Sequence, residues 1–201
     1  MIAVVDSGVG NLRSVVKALA AVGADVTLTA EPQTILSALK VVLPGVGAFA
    51  DTMQGLRERN LIPIIYDIYQ RQTPLLGICV GMQLLFDVSE EMGIHEGLGF
   101  LPGRVKRFDE GKVKVPHTGW NQIQPQKENP LFQGLEPGSY VYFNHSYYCD
   151  PDESEDVLAS TTYATGYASA VQRHALYGVQ FHPEKSQQVG LAVLRNFVEQ
   201  C

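Results

Sequence analysis

In the stretch "TPLLGICVGMQLLFD", residues 73–87, a cysteine stands between Gly77 and Gly81 where an apolar run gives way to a second one. Small residues on both sides permit a sharp strand-to-helix turn, and such a turn lifts the side chain at its apex out of the carboxyl edge of a sheet. A helix that starts there also brings unpaired N–H groups and the positive end of its dipole to the sulfur, which favours an anion. Cys79 therefore reads as a nucleophile. Cys149, among tyrosines in a strand-like run, and Cys201, at the end of the chain, lack this setting and read as inert. A cysteine nucleophile needs a base, and the base needs a group that orients it. "YGVQFHPEKS", residues 177–186, offers both: Pro183 biases His182 toward an extended backbone, in which residues two apart point the same way, so Glu184 can fix the His182 tautomer. An isolated His-Pro-Glu is more often a surface turn, but here a strand-like run, "ALYGVQF", feeds into it. A third segment, "LPGVGAFAD", residues 43–51, sets glycines around Val46, so that its peptide can aim an N–H at an anion or rotate away. Together with the Val80 N–H it would form an oxyanion hole.

Other chemistries are disfavoured. "SGVGNLRS" contains a GxG but has Arg13 where a dinucleotide fingerprint needs its third glycine, and no suitable acidic residue ends the second strand. His95, His117, His145, His174 and His182 lack the close spacing of a helical metal site, so no metal and no cofactor is expected. The net charge is −6 and the 15 Lys and Arg are scattered, which argues against a nucleic-acid partner. No apolar run approaches the roughly 20 residues that span a bilayer, and "MIAVVDSG" has no leader pattern, so no membrane association is expected. Three widely spaced cysteines suit a reducing compartment, and the cytoplasm is the expected location.

The elements that must position these residues alternate. "IAVV", "DVTLT", "VVLP" and "PLLGI" are short apolar runs ended by turn residues, and "NLRSVVKALAAVG" and "LIPIIYDIYQRQ" between them have helical periodicity. Such β-α-β-α alternation predicts an α/β fold with a doubly wound, mostly parallel sheet flanked by helices, and ligands then belong at the carboxyl ends of its strands. Beyond Gly93 the segments "GRVKRF", "GSYVYFNHSYY" and "YASAVQRHALYGVQF" read as an added antiparallel β portion. The closing "SQQVGLAVLRNFVEQC" places Leu191, Leu194, Phe197 and Val198 on one helical face. With no repeat, linker or low-complexity tract, residues 1–201 read as a single domain.

"PGVGAF", "GICVGMQLLF" and "YGVQFHPEKS", in this order, resemble the three signature regions of class I (triad-type) glutamine amidotransferases. The resemblance spans nearly the whole chain. It implies a flavodoxin-like fold and a glutaminase in which Cys79 is the nucleophile, His182 the base and acid, and Glu184 the orienter. It further implies that Gly45, Gly47, Gln83, Glu91, Ser146 and Tyr147 bind L-glutamine, with Glu91, one helical face on from Gln83, as partner for its ammonium. "GNLRSV", "KVPHTGWNQI" and "YFNHSYY" are similar to the branch that serves imidazole glycerol phosphate synthesis in the histidine pathway, although Thr118 and Asn144 stand where larger apolar residues are expected. That branch implies a heterodimer with a (β/α)₈-barrel cyclase subunit that receives ammonia directly, and Asn11, Trp120, Asn121 and Lys185 as docking residues. From the residues alone, a glutaminase for another acceptor, a stand-alone γ-glutamyl cysteine hydrolase and a non-catalytic subunit remain rival readings.

Overall fold

A computed structural model describes residues 1–10, 12–45 and 47–201. The two residues outside this set are Asn11 and Val46, so the docking reading of the first and the flipping-peptide reading of the second lie outside the described residues.

The first strands are β1 (Ile2–Val5), β2 (Val26–Thr29), β3 (Lys40–Gly45) and β4 (Leu75–Cys79), with helices α1 (Arg13–Ala21), α2 (Pro32–Leu36), α3 (Phe49–Glu58) and α4 (Ile62–Gln70) between them. They pair in parallel in the order β2-β1-β3-β4, and every residue of β1 and β4 is buried, as strands covered on both faces require. Helix α3 was not legible as a helix in the glycine loop that precedes it. It buries Phe49, Met53 and Leu56, which recur at helical spacing.

The apolar stretch after Cys79 does not continue as a helix. α5 (Val80–Gln83) is a single turn, and β5 (Phe86–Ser89) follows at once. The carbonyls that a longer helix would use are taken by another segment: Leu84 O accepts from Leu98 N at 2.8 Å, Leu85 O from Phe100 N at 2.9 Å and Phe86 O from Gly99 N at 3.1 Å. Hydrogen bonds to the segment at residues 98–100 thus replace helical ones, and Glu91 does not share a helix with Gln83.

The remaining strands are β6 (His95–Glu96), β7 (Leu101–Arg107), β8 (His117–Gln122), β9 (Gln124–Pro125), β10 (Tyr140–His145), β11 (Tyr147–Pro151), β12 (Val157–Tyr163), β13 (Thr165–Arg173) and β14 (Leu176–Val179). β14 returns to pair in parallel with β4, placing Val179 opposite Ile78, and so becomes the fifth parallel strand in succession. From there the same sheet continues largely antiparallel through β13, β11 and β7, with β5 parallel to β7. β8 and β10 form a separate two-stranded antiparallel sheet. The chain closes with α6 (Gln187–Gln200), which buries Val193, Leu194 and Phe197, while Leu191 and Val198 pack at the margin of that face. No helix among the described residues is long and apolar enough to cross a membrane.

Candidate active site

Cys79 ends β4 with φ +54° and ψ −111°, a backbone conformation that non-glycine residues rarely adopt. Such strain costs on the order of 1–3 kcal/mol and persists only where the surroundings over-determine it. Here three glycines lock it in place. A Cβ on Gly81 would lie 1.8 Å from the Leu43 carbonyl oxygen, one on Gly77 would lie 2.6 Å from Gly81 O, and one on Gly45 would lie 2.5 Å from Gly81 N. The elbow therefore packs directly onto β3, where Gly45 is in register with Cys79. Because α5 is one turn, the sulfur faces a short turn and not a long helix dipole, and it is the strained elbow that sets its position.

His182 follows the end of β14, the strand beside β4, and so emerges at the same sheet edge. Its backbone is extended, as Pro183 predicts, but residues 183–185 form a 3₁₀ turn, and it is this turn that carries Glu184 back to the ring. Glu184 Oε1 stands 2.9 Å from His182 Nδ1, and both side chains are almost completely buried. Ser186, which sequence reasoning did not single out, anchors the segment: its hydroxyl donates to His182 O at 2.6 Å and accepts from Tyr142 N at 2.9 Å. Burial opposes a charged imidazole, yet the Cys79 sulfur and the Glu184 carboxylate beside it outweigh burial and raise the His182 pKa above its ordinary value.

These groups open onto a cavity of about 300 Å³ whose wall includes Cys79, Val80, His182 and Glu184. Gly47, Gln83, Glu91, Ser146, Tyr147 and Lys185 line it too, along with Ser14 and Asn144. Gly45 sits behind the wall, against Gly81. Gln83 reaches the cavity from the single turn of α5, and its Nε2 donates both to Tyr147 O and to Gln180 Oε1, each at 3.1 Å. Gln180 was missed from sequence. It is fully buried and its Nε2 lies 3.7 Å from the Cys79 sulfur, a contact visible only once β14 is placed beside β4.

Glu91 arrives by a different route from the one its spacing suggested. It follows β5, and its carboxylate accepts from Phe49 N at 2.6 Å, capping the start of α3, where Ala48 has no capping side chain. One carboxylate thus joins the cavity wall to the glycine loop.

Trp120, on β8, is 45% exposed and meets Tyr142 edge-on at 6.1 Å, and Lys185 Nζ stands 5.9 Å from the same Tyr142 ring. The exposed Trp120 is thus linked through the half-buried Tyr142 to Lys185, which lines the cavity. Asn121, the next residue on β8, is half-buried and turns its amide the other way, where Nδ2 donates to Thr162 O at 3.0 Å. Thr118 and Asn144 prove to be cross-strand partners, with a hydrogen bond of 3.0 Å between their side chains, so each polar residue accounts for the other. Cys149 is fully buried in β11, and its thiol pKa is pushed up by burial. Among the described residues no group of three acidic, histidine or cysteine side chains is arranged to hold a metal ion.

A strained cysteine at a sheet edge, a paired His and Glu on the neighbouring strand and a polar cavity between them are the features of a triad amidotransferase. The chain belongs to the class-I glutamine amidotransferase family, whose model matches residues 3–201. It is 51% identical over 198 residues to imidazole glycerol phosphate synthase subunit HisH of Moorella thermoacetica, covering 98% of this chain and 94% of that one. It is 48% identical over 202 residues to the same subunit of Geobacter metallireducens, covering 98% and 96%. Its fold matches the structure of PurLQS from Thermotoga maritima with a TM-score of 0.74 at 18% identity, over 98% of this chain and 96% of that one.

Proposed function

We infer that this chain is the glutaminase subunit of an imidazole glycerol phosphate synthase and acts in histidine biosynthesis. The observation that carries the reading is the convergence of Cys79, His182 and Glu184 on one cavity in a chain that is about half identical to such subunits over nearly its full length. The Cys79 sulfur attacks the side-chain carboxamide of L-glutamine, and the Val80 N–H together with an N–H of the glycine loop at residues 45–47 stabilises the oxyanion. One such donor is worth about 10²–10³ in rate. His182, kept protonated by its two neighbours, donates to the departing nitrogen, so ammonia leaves and a γ-glutamyl thioester remains. Water activated by the now neutral His182 hydrolyses the thioester to glutamate. Glu184 keeps the imidazole in one tautomer throughout. Glu91 pairs with the substrate ammonium, and Gln83, Gly47, Ser146 and Tyr147 hold the rest of the amino-acid head, with Gly45 supporting the loop from behind.

Ammonia released into neutral water is protonated and loses its nucleophilicity, so a cyclase subunit must receive it directly. We assign to that partner a (β/α)₈ barrel docked in a heterodimer against the surface that carries Trp120 and Lys185, with Asn121 and Asn11 as further docking residues. The whole chain acts as one glutaminase domain in the cytoplasm. Mixing the purified chain with a cyclase subunit, glutamine and the phosphoribulosyl formimino carboxamide ribonucleotide tests this. Imidazole glycerol phosphate and aminoimidazole carboxamide ribonucleotide should form only when both subunits are present. Vigorous glutamine hydrolysis without product would favour another acceptor, and equal hydrolysis by the lone chain would favour a stand-alone hydrolase.

A further inference from the structure

A second buried polar cluster adjoins the substrate cavity, whose wall includes one of its members, His145. His117 on β8 and His145 at the end of β10 face each other, with His117 Nδ1 3.3 Å from His145 Nε2. The Tyr167 hydroxyl stands 3.3 Å and 3.4 Å from those same nitrogens. Tyr163 and Phe143 stack on the two faces of the His117 ring at 3.9 and 4.9 Å.

The proton positions in this cluster follow from its ends. His145 Nδ1 is 2.7 Å from the Tyr147 carbonyl oxygen, which can only accept, so Nδ1 carries the hydrogen. In a neutral imidazole Nε2 is then the acceptor, and it faces two donors, the His117 Nδ1–H and the Tyr167 hydroxyl. His117 Nε2 is in turn an acceptor, and it faces Asn121 Nδ2 at 3.4 Å. The Asn121 amide is itself oriented, because Nδ2 donates to Thr162 O at 3.0 Å while Oδ1 accepts from Gln122 N at 2.8 Å. Burial lowers both imidazole pKa values and keeps the rings neutral. A directional chain of donors therefore runs from Asn121 through His117 and His145 to the Tyr147 carbonyl. That carbonyl also accepts from Gln83 Nε2, whose other hydrogen goes to Gln180, and Gln180 in turn faces the Cys79 sulfur. With both N–H groups of Gln83 used, its Oε1 is the atom of that amide available to a ligand.

We propose that His117 and His145 are positioning residues for glutamine, acting through the Tyr147 carbonyl to hold the turn at Ser146 and Tyr147 and the Gln83 amide in the orientation that the substrate needs. The substrate named here rests on the glutaminase reading above. Two measurements test the proposal. In the wild-type protein at pH 7, ¹⁵N NMR of the histidine side chains should show both rings protonated at Nδ1, and an Nε2–H form at either ring overturns the proposal. In the complex with the cyclase, His145→Phe should raise the KM for glutamine about tenfold, the weight of one buried hydrogen bond, with kcat changed less than about threefold and ammonia-dependent synthesis unchanged. His145→Asn, which keeps a donor where Nδ1 stands, should recover KM to within about threefold, and His145→Gln should not. An unchanged KM in His145→Phe, or equal behaviour of the Asn and Gln variants, overturns the proposal. If the wild-type complex did not hydrolyse glutamine at all, the glutaminase reading would fall instead, while the NMR result would still decide the proton positions.

Discussion

Glu91 caps a helix and, in the function proposed above, binds the substrate ammonium, two tasks that substitution can separate. Its carboxylate lines the cavity and also accepts from Phe49 N at 2.6 Å, supplying the cap that Ala48 cannot. Glu91→Ala removes both roles. Losing a helix N-cap costs about 1 kcal/mol, and in a domain of this size that corresponds to a fall of roughly 2–4 °C in Tm. Glu91→Gln keeps an oxygen for Phe49 N and loses only the charge at the helix start, about 0.3–1 kcal/mol, so its Tm should fall by less. For glutamine binding the ranking differs. A hydrogen bond to a charged group contributes about 1.5–3 kcal/mol, so both variants should raise KM by about 10- to 150-fold. Differential scanning calorimetry and steady-state glutaminase kinetics in the complex read the two effects independently. A Gln variant that binds glutamine as the wild type does would refute the substrate role, and an Ala variant that melts at the wild-type temperature would refute the cap.

Three further outcomes are expected. Gly81→Ala drives a Cβ to within 1.8 Å of the Leu43 carbonyl oxygen, so denaturant unfolding should reveal a loss above about 3 kcal/mol; a loss under about 1 kcal/mol would mean that the elbow can move away from β3. Lys40 Nζ donates to Phe197 O at 2.8 Å, Val198 O at 2.9 Å and Cys201 O at 2.5 Å at the end of α6, and Lys40→Met should lower Tm by about 2–6 °C through these unpaired carbonyls, with glutaminase activity retained at lower temperature. Burial lowers the pKa of His117 to about 4 and that of His145 to about 3, so their contribution is present above the unfolded value of about 6.5 and is lost as pH falls toward these folded values. Urea titrations should therefore show stability declining from pH 6.5 to 4 by up to ~1.4 kcal/mol per unit for each ring, and His117→Phe should flatten that limb.

The sites that could be read from sequence are those whose geometry is local. Cys79 between glycines, the His-Pro-Glu turn and the apolar strands each signal themselves within ten residues. The contacts that the sequence hid are long-range. Glu91 caps a helix 42 positions earlier, and Gln180 reaches the Cys79 sulfur only because β14 returns to lie beside β4. The length of α5 was misjudged for a related reason: "LLF" has apolar character compatible with a helix, and its backbone carbonyls are instead claimed by residues 98–100, which local periodicity does not contain. Thr118 and Asn144 likewise looked like separate departures until strand pairing placed them opposite one another.

In the proposed function the Cys79 sulfur is the atom that frees nitrogen for another subunit. Cys79→Ala, assayed in the complex with the cyclase, separates the two halves of the reaction. Synthesis from glutamine should fall to background while synthesis from added ammonium salts proceeds at the wild-type rate. Glutamine-dependent synthesis that survives the substitution would contradict the account directly.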